Sequence, residues 1–208
     1  MVRGHVRSPG PRGEEALRRD AARNRERILA AARSLFAERG VTGVTMSEIA
    51  RAAGVGKGTL YRRFPNKGLL CEALLDEPTR AFQRRVMELV AENESGALEK
   101  LGRFLEEMVF FTEENLELLY GGQEPLCGSA RVERFSHPAY DWQRWTVLVL
   151  LRQAEREGEI RENLDLEYLA HALLAPLAVD LYYYQRYVLG FSPERIARGL
   201  RDLASERL

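Results

Sequence analysis

The chain has 208 residues, 31 of them basic and 31 acidic, with 45% hydrophobic residues; this is enough to bury a real core in one domain or two small ones. No apolar run approaches the roughly 18 residues of a membrane span, and no apolar segment follows the basic N-terminal residues, so a soluble, cytoplasmic protein is expected, with no membrane partner. The even charge balance hides a division. Through Lys67 there are 15 basic and 6 acidic residues, a balance of +9; beyond it 16 and 25, a balance of −9, so only the first third suits a polyanion.

In chain order, residues 1–20 are rich in Gly, Pro and Arg and read as a disordered basic arm. A first helix is expected over about 21–39, with Ile28, Leu29, Ala32, Leu35 and Phe36 on one apolar stripe and Gly40 as its C-terminal cap. Thr45 followed three residues later by Glu48 is a capping box, which starts a short second helix with Ile49 and Ala53 inward. Gly54-Val55-Gly56 is then a turn into a third helix carrying Leu60 and Phe64 on one face. Two short helices joined by a glycine-containing turn make a helix-turn-helix, whose second helix enters the DNA major groove.

The stretch GVGKGT in that turn looks superficially like a nucleotide-binding loop. A phosphate loop needs G-x-x-x-x-G-K-[ST], whereas Arg51 stands five residues before Gly56 and Gly58 follows Lys57. The motif fails at both ends. With Leu60 and Phe64 inward, Lys57, Thr59, Tyr61, Arg62 and Arg63 are left to face outward, cations beside hydroxyls that suit a phosphate backbone and a few base edges.

Pro65 ends the third helix, Asn66 caps a fourth running to about residue 91 with an irregularity near Pro78, and the remainder reads as a helical bundle. The expected domains are therefore 21–66 for DNA binding and 67–208 for the bundle. Its helices carry Leu98, Leu101, Leu105 and Met108; then residues 115–120; then Pro138 to Glu157 after a glycine-rich loop. Asp165 opens one with Leu166, Leu169, Leu173, Leu177 and Leu181, and Ser192 with Pro193 opens the last, with Ile196, Leu200 and Leu203. The fold class is all-α.

Catalytic, metal and cofactor chemistry find no support. There are three histidines, no Cys-x-x-Cys or His-x-x-x-His spacing, and no Ser/His/Asp set or acid pair; His137 and His171 read as hydrogen-bonded structural residues. Cys71 and Cys127 are too few for a disulfide framework. A bond between them, which would tie the fourth helix to the bundle, stays open as a redox or stapling alternative.

The segment LFAERG followed by VTMSEIARAAGVGKGTLYRRFPNK, within residues 25–70, resembles the DNA-binding domain of the TetR family of one-component transcriptional regulators. EGEIRENLDLEYLAHALL at 157–174 is similar to the link between that family's last two bundle helices. The resemblance implies an all-helical homodimer that binds a palindromic DNA operator and answers a small-molecule effector, with repression as the default. Carried over by position, Thr45 and Ser47 would touch phosphates, Lys57 and Gly58 base edges, Thr59 either, and Tyr61, Arg62, Arg63 and Lys67 the backbone. The leucine stripe from Leu166 to Leu181, with Ile196, Leu200 and Leu203, would form the dimer interface or be buried within one subunit. Phe104, Met108, Phe111, Trp142, Trp145 and Tyr183 would line an apolar effector pocket or only the core, and the fourth helix would carry the effector's signal to the reading heads. A helical ligand-binding protein without DNA recognition is the alternative from another class.

Overall fold

The computed structural model describes residues 11–92, 94–122 and 134–205, all of whose regular structure is helical. The helices are α1 (Pro11–Arg39), α2 (Met46–Ala52), α3 (Lys57–Arg63), α4 (Lys67–Ala91), α5 (Ala97–Glu114), α6 (Leu116–Gly121), α7 (Pro138–Arg156), α8 (Leu166–Leu174), α9 (Val179–Tyr187) and α10 (Pro193–Ser205), with short 3-10 turns at Arg134–Ser136 and Ala175–Leu177. The chain packs as two compact units that meet after Leu74, inside α4. That is later than the expected boundary at residue 66, because Leu70, Cys71 and Leu74 in the first two turns of α4 are themselves buried.

In the N-terminal unit Ile28, Leu29, Ala32 and Phe36 of α1 are buried with Val44, Ile49, Leu60 and Phe64; Leu35 is only half-buried. α1 begins at Pro11, ten residues inside the segment expected to be a disordered arm. Glycine and proline thin out after Gly13, and the sequence EEALRRDAARNRERILAA that follows is composed mostly of helix formers. Residues 1–10 of that arm lie outside the described residues.

The C-terminal unit is built on α5. Its Leu101, Phe104, Leu105, Met108 and Val109 are buried in one cluster with Phe82 and Val86 of α4, Val147, Leu148 and Leu151 of α7, Leu173 and Leu174 of α8, Tyr182 of α9, and Ile196 and Leu200 of α10. The expected single helix from Asp165 to Leu181 is three pieces: α8, the 3-10 turn, and α9. Pro176 cannot donate a helical hydrogen bond and disturbs the turn before it; the leucine spacing continues across this break.

Ion pairs and caps fix the ends of these helices. Glu159 accepts from the backbone N–H groups of Ala97 and Leu98 at 3.1 and 2.7 Å, capping α5, and Lys100, itself buried, donates to the Val90 and Glu92 carbonyls at the C-terminal end of α4. Arg186 of α9 holds Glu113 of α5 through two 2.7 Å bonds, and the Tyr182 hydroxyl donates to the same carboxylate at 3.0 Å. The Arg186 guanidinium beside it keeps the Glu113 carboxyl below the usual range, while burial pushes the Tyr182 hydroxyl up.

Candidate nucleic-acid interface and apolar core

The helix-turn-helix is held by local chemistry that the sequence announces. Thr45 accepts from the Glu48 N–H at 3.3 Å, while the Thr45 N–H and hydroxyl donate to the Glu48 carboxylate at 2.8 and 2.7 Å, a complete capping box. Arg39 adds a 2.9 Å ion pair to the same carboxylate. The Thr45 hydroxyl and N–H first, then Arg39, hold the Glu48 carboxyl down to about 2.

At the other end of α2, Gly54 has φ of 60°, a left-handed conformation that favours glycine. The Val55 N–H reaches the Ala50 carbonyl and the Gly54 N–H the Arg51 carbonyl, the paired bonds of a Schellman cap. Arg27 of α1 donates to the Gly54 carbonyl at 3.1 Å and so pins the turn that presents α3. Sequence reasoning passes over this residue, since its partner stands 27 positions away.

On α3, Leu60 is fully buried and Phe64, its C-terminal cap, nearly so. Lys57, Gly58, Tyr61, Arg62 and Arg63 are exposed and Thr59 half-buried, so one short helix shows three cations and two hydroxyls to solvent. Gly56 and Gly58 sit in conformations open to any residue, and a Cβ added at either meets nothing within 4 Å. The fold has no need of glycine at these two positions.

The flanking residues have structural duties as well. Thr45 is exposed but its hydroxyl is engaged in the cap, and Ser47 is half-buried. Lys67 is half-buried and donates to the Val41 carbonyl at 2.8 Å, leaving two of its three ammonium protons for other acceptors. Asn66 accepts from the Leu69 N–H at 2.8 Å, the expected cap of α4.

In the C-terminal unit the six candidate ligand residues do not form one group. Phe104, Met108, Phe111 and Trp142 come together around Phe82: the Phe82 ring lies 4.7 Å from Phe111, 5.7 Å from Trp142 and 6.4 Å from Phe104. Phe82 was missed, although Phe82, Val86 and Leu89 are spaced i, i+4, i+7 and all three are buried. Tyr183 belongs elsewhere, stacked on Tyr120 at 3.9 Å, and Trp145 is 49% exposed beneath the Arg144 guanidinium. The aromatic group is closely packed. Two open surface concavities, one at Val149, Arg152 and Leu166 and the other at Leu98, Arg103 and Arg201, touch none of it.

The leucine stripe also divides. Leu173, Leu177, Ile196 and Leu200 are buried inside the subunit, in the cluster built on α5, so they are not available as an outer interface. Leu166 and Leu169 are partly buried, and Leu181 and Leu203 remain exposed, as do Tyr168, Tyr184, Tyr187 and Val188. His137 caps α7 by accepting from the Ala139 N–H at 3.2 Å, and His171 pairs with the Tyr140 hydroxyl at 2.6 Å; both act structurally. Burial pushes the Cys71 thiol up to about 11, and Cys127 lies outside the described residues. Among the described residues no helix is long and apolar enough to cross a membrane.

Comparison with known proteins bears on both units. The profile of "Bacterial regulatory proteins, tetR family" matches residues 28–74, which span the capping box, the turn and α3. An HTH-type transcriptional regulator of Staphylococcus aureus (strain MRSA252) is 28% identical over 89% of this chain and 94% of its own length. Other staphylococcal HTH-type regulators are 42% identical, but the match spans only 36% of their length. Among solved structures, the TetR-family repressor FadR of Thermus thermophilus, in complex with lauroyl-CoA, superposes with a TM-score of 0.65 at 24% identity over 88% of this chain and 95% of that one. FadR of Bacillus subtilis, in complex with stearoyl-CoA, does so with a TM-score of 0.63 at 21% identity, over 88% and 98%. Those two share the fold with this chain across both units. The family's DNA-binding segment is thus matched over the helix-turn-helix, and an HTH-type transcriptional regulator aligns along nearly the whole length, so residues 28–74 are a DNA-binding segment of the tetR family type.

Proposed function

We propose that the chain is a ligand-responsive repressor that binds a palindromic operator as a homodimer and is released by an effector with a long apolar part. The observation that carries this reading is α3, with Leu60 buried and Lys57, Tyr61, Arg62 and Arg63 exposed around it. Lys57 and Gly58 meet base edges, Thr59 a base or a phosphate, and Tyr61, Arg62 and Arg63 the backbone, with Ser47, Thr45 and the remaining Lys67 protons on phosphates at the margin. The vacant space beside Gly58, inside α3, supports close approach of DNA, since a helical glycine the fold does not require costs helix stability.

Dimerisation uses the exposed apolar residues Tyr168 of α8, Leu181 and Tyr184 of α9 and Val188 just after it, with Leu203 of α10; Leu166 and Leu169 lie at its edge. It places two α3 helices roughly 34–36 Å apart, one turn of DNA. The effector class is an acyl thioester, because two proteins of the same fold were solved with acyl-CoA bound and because Phe82, Phe104, Met108, Phe111 and Trp142 offer an apolar seat. Each buried methylene is worth about 0.8 kcal/mol, so affinity rises with chain length until the space is filled. Phe82 stands on α4, which also carries Leu70 and Leu74 of the N-terminal unit; a chain that displaces Phe82 acts on a helix common to both units.

Selection of bound duplexes from a random pool at near-physiological salt tests the DNA reading: an enriched palindrome supports it, and absence of any retained duplex leaves a ligand-binding bundle instead. Titration of the selected complex with acyl-CoA of graded length, against CoA alone, tests the effector; release that ignores chain length overturns an acyl seat.

A further inference from the structure

Helix α1 extends far beyond the core it serves. Its buried residues begin at Ile28, yet the helix starts at Pro11, and the described side chains from Arg19 to Arg27 are exposed or half-buried. Packing against the chain's own core therefore does not account for this stretch, and most helical stability in proteins comes from such packing.

The stretch is organised. Arg19, Arg23 and Arg27 are spaced i, i+4, i+8 and exposed, so they follow one ridge of the helix. Arg27, at one end, holds the carbonyl of Gly54, two residues before the Gly56 that caps α3. The ridge thus starts beside the turn that presents Lys57, and Arg23 and Arg19 follow about 6 and about 12 Å along the axis. Asp20 and Glu26 share this side of the helix, so the ridge carries three cations to two acids.

We infer that the Arg19–Arg23–Arg27 ridge is a second contact surface for duplex DNA, gripping backbone phosphates outside the half-site that α3 reads. The inference rests on the reading of α3 as the DNA-contacting helix. Guanidinium groups suit this task because their planar fork pairs with phosphate oxygens in a bidentate manner. A ridge of about 12 Å corresponds to three or four base pairs of duplex at about 3.4 Å each, so contact extends that far beyond each end of the palindrome. The flanking contacts are indifferent to sequence, and they add affinity without changing base preference.

The test uses the full chain and the duplex selected from the random pool, prepared with long flanks and with flanks trimmed to the palindrome. Arg19→Ala/Arg23→Ala keeps a strong helix former at both positions. On the long duplex this variant is expected to bind on the order of tenfold more weakly, with the salt slope reduced by about two per protomer and backbone protection lost outside the half-sites. Trimming should weaken the wild type several-fold more than the variant, whose ridge keeps only Arg27, and Arg19→Lys/Arg23→Lys should restore the slope. A variant that matches the wild type in slope and protection, or that loses as much on trimmed as on long duplex, overturns the inference. Lys57→Ala separates the two readings: if it leaves affinity and base preference intact, α3 is not the reading helix and the ridge proposal falls with it. If it alters base preference while the double variant changes nothing, only the ridge is refuted.

Discussion

The two units of this chain carry their conspicuous residues on opposite sides. In the N-terminal unit the core is small, and the residues that matter for the proposed function, Lys57, Tyr61, Arg62 and Arg63, stand in solvent on a helix whose shape is fixed from behind by Leu60 and Phe64. In the C-terminal unit the notable residues, Phe82, Phe104, Phe111 and Trp142, are turned inward and packed on one another. A surface that reads a polyanion can change without disturbing the fold. The interior proposed to accept a ligand is also the core, so on that reading its function and its stability rest on one and the same contact set.

The difference can be tested by substitution. Phe104→Ala, in the fully buried aromatic cluster, should cost about 3–5 kcal/mol in urea unfolding; a loss below about 1 kcal/mol would mean the cluster is already loose. Glu113→Ala leaves Arg186 without its bidentate partner, but with the two side chains 20% and 26% accessible the loss should be about 1–2 kcal/mol, less than for a fully buried pair. Thr45→Ala removes the α2 cap and should cost about 1 kcal/mol.

Gly58→Ala should reverse the pattern of the core substitutions. With open space for the methyl group, stability should hold or rise by up to about 1 kcal/mol, while binding to the selected duplex weakens; equal binding would show that DNA does not approach there. The smallest effect concerns acid. Glu48 is held at about 2 against an ordinary 4.5, so its contribution to folding is fully present above 4.5 and is lost as pH falls from there toward 2. Glu48→Gln should flatten that part of the pH-stability curve, and an unchanged curve would remove the capping box from the acid response.

The same division governs what the sequence reveals. The signals of the N-terminal unit are local: Thr45 and Glu48 are three apart, Gly54 occupies the left-handed cap, and Asn66 precedes α4. Each can be read in a window of a few residues. In the C-terminal unit the decisive partners are distant, Glu113 and Arg186 by 73 positions and Glu159 and Ala97 by 62, and nothing near either residue announces the other. Leucine spacing from Leu166 to Leu181 indicates helix but not which side meets the core, and Pro176 changes the answer midway. Composition misleads at the N-terminus for a related reason: Gly and Pro dominate residues 9–13, and averaging them over 20 positions hides the helix formers that follow.

The vacancy beside Gly56 and Gly58 also bears on descent. A Cβ acquired at either position meets no other part of the chain, so, on the proposed reading of α3, a duplicated copy reaches a new operator through a single codon change with no compensating repair. The C-terminal unit offers no such freedom around Phe82, where on the proposed reading a new ligand preference is reached through substitutions that first weaken the protein carrying them.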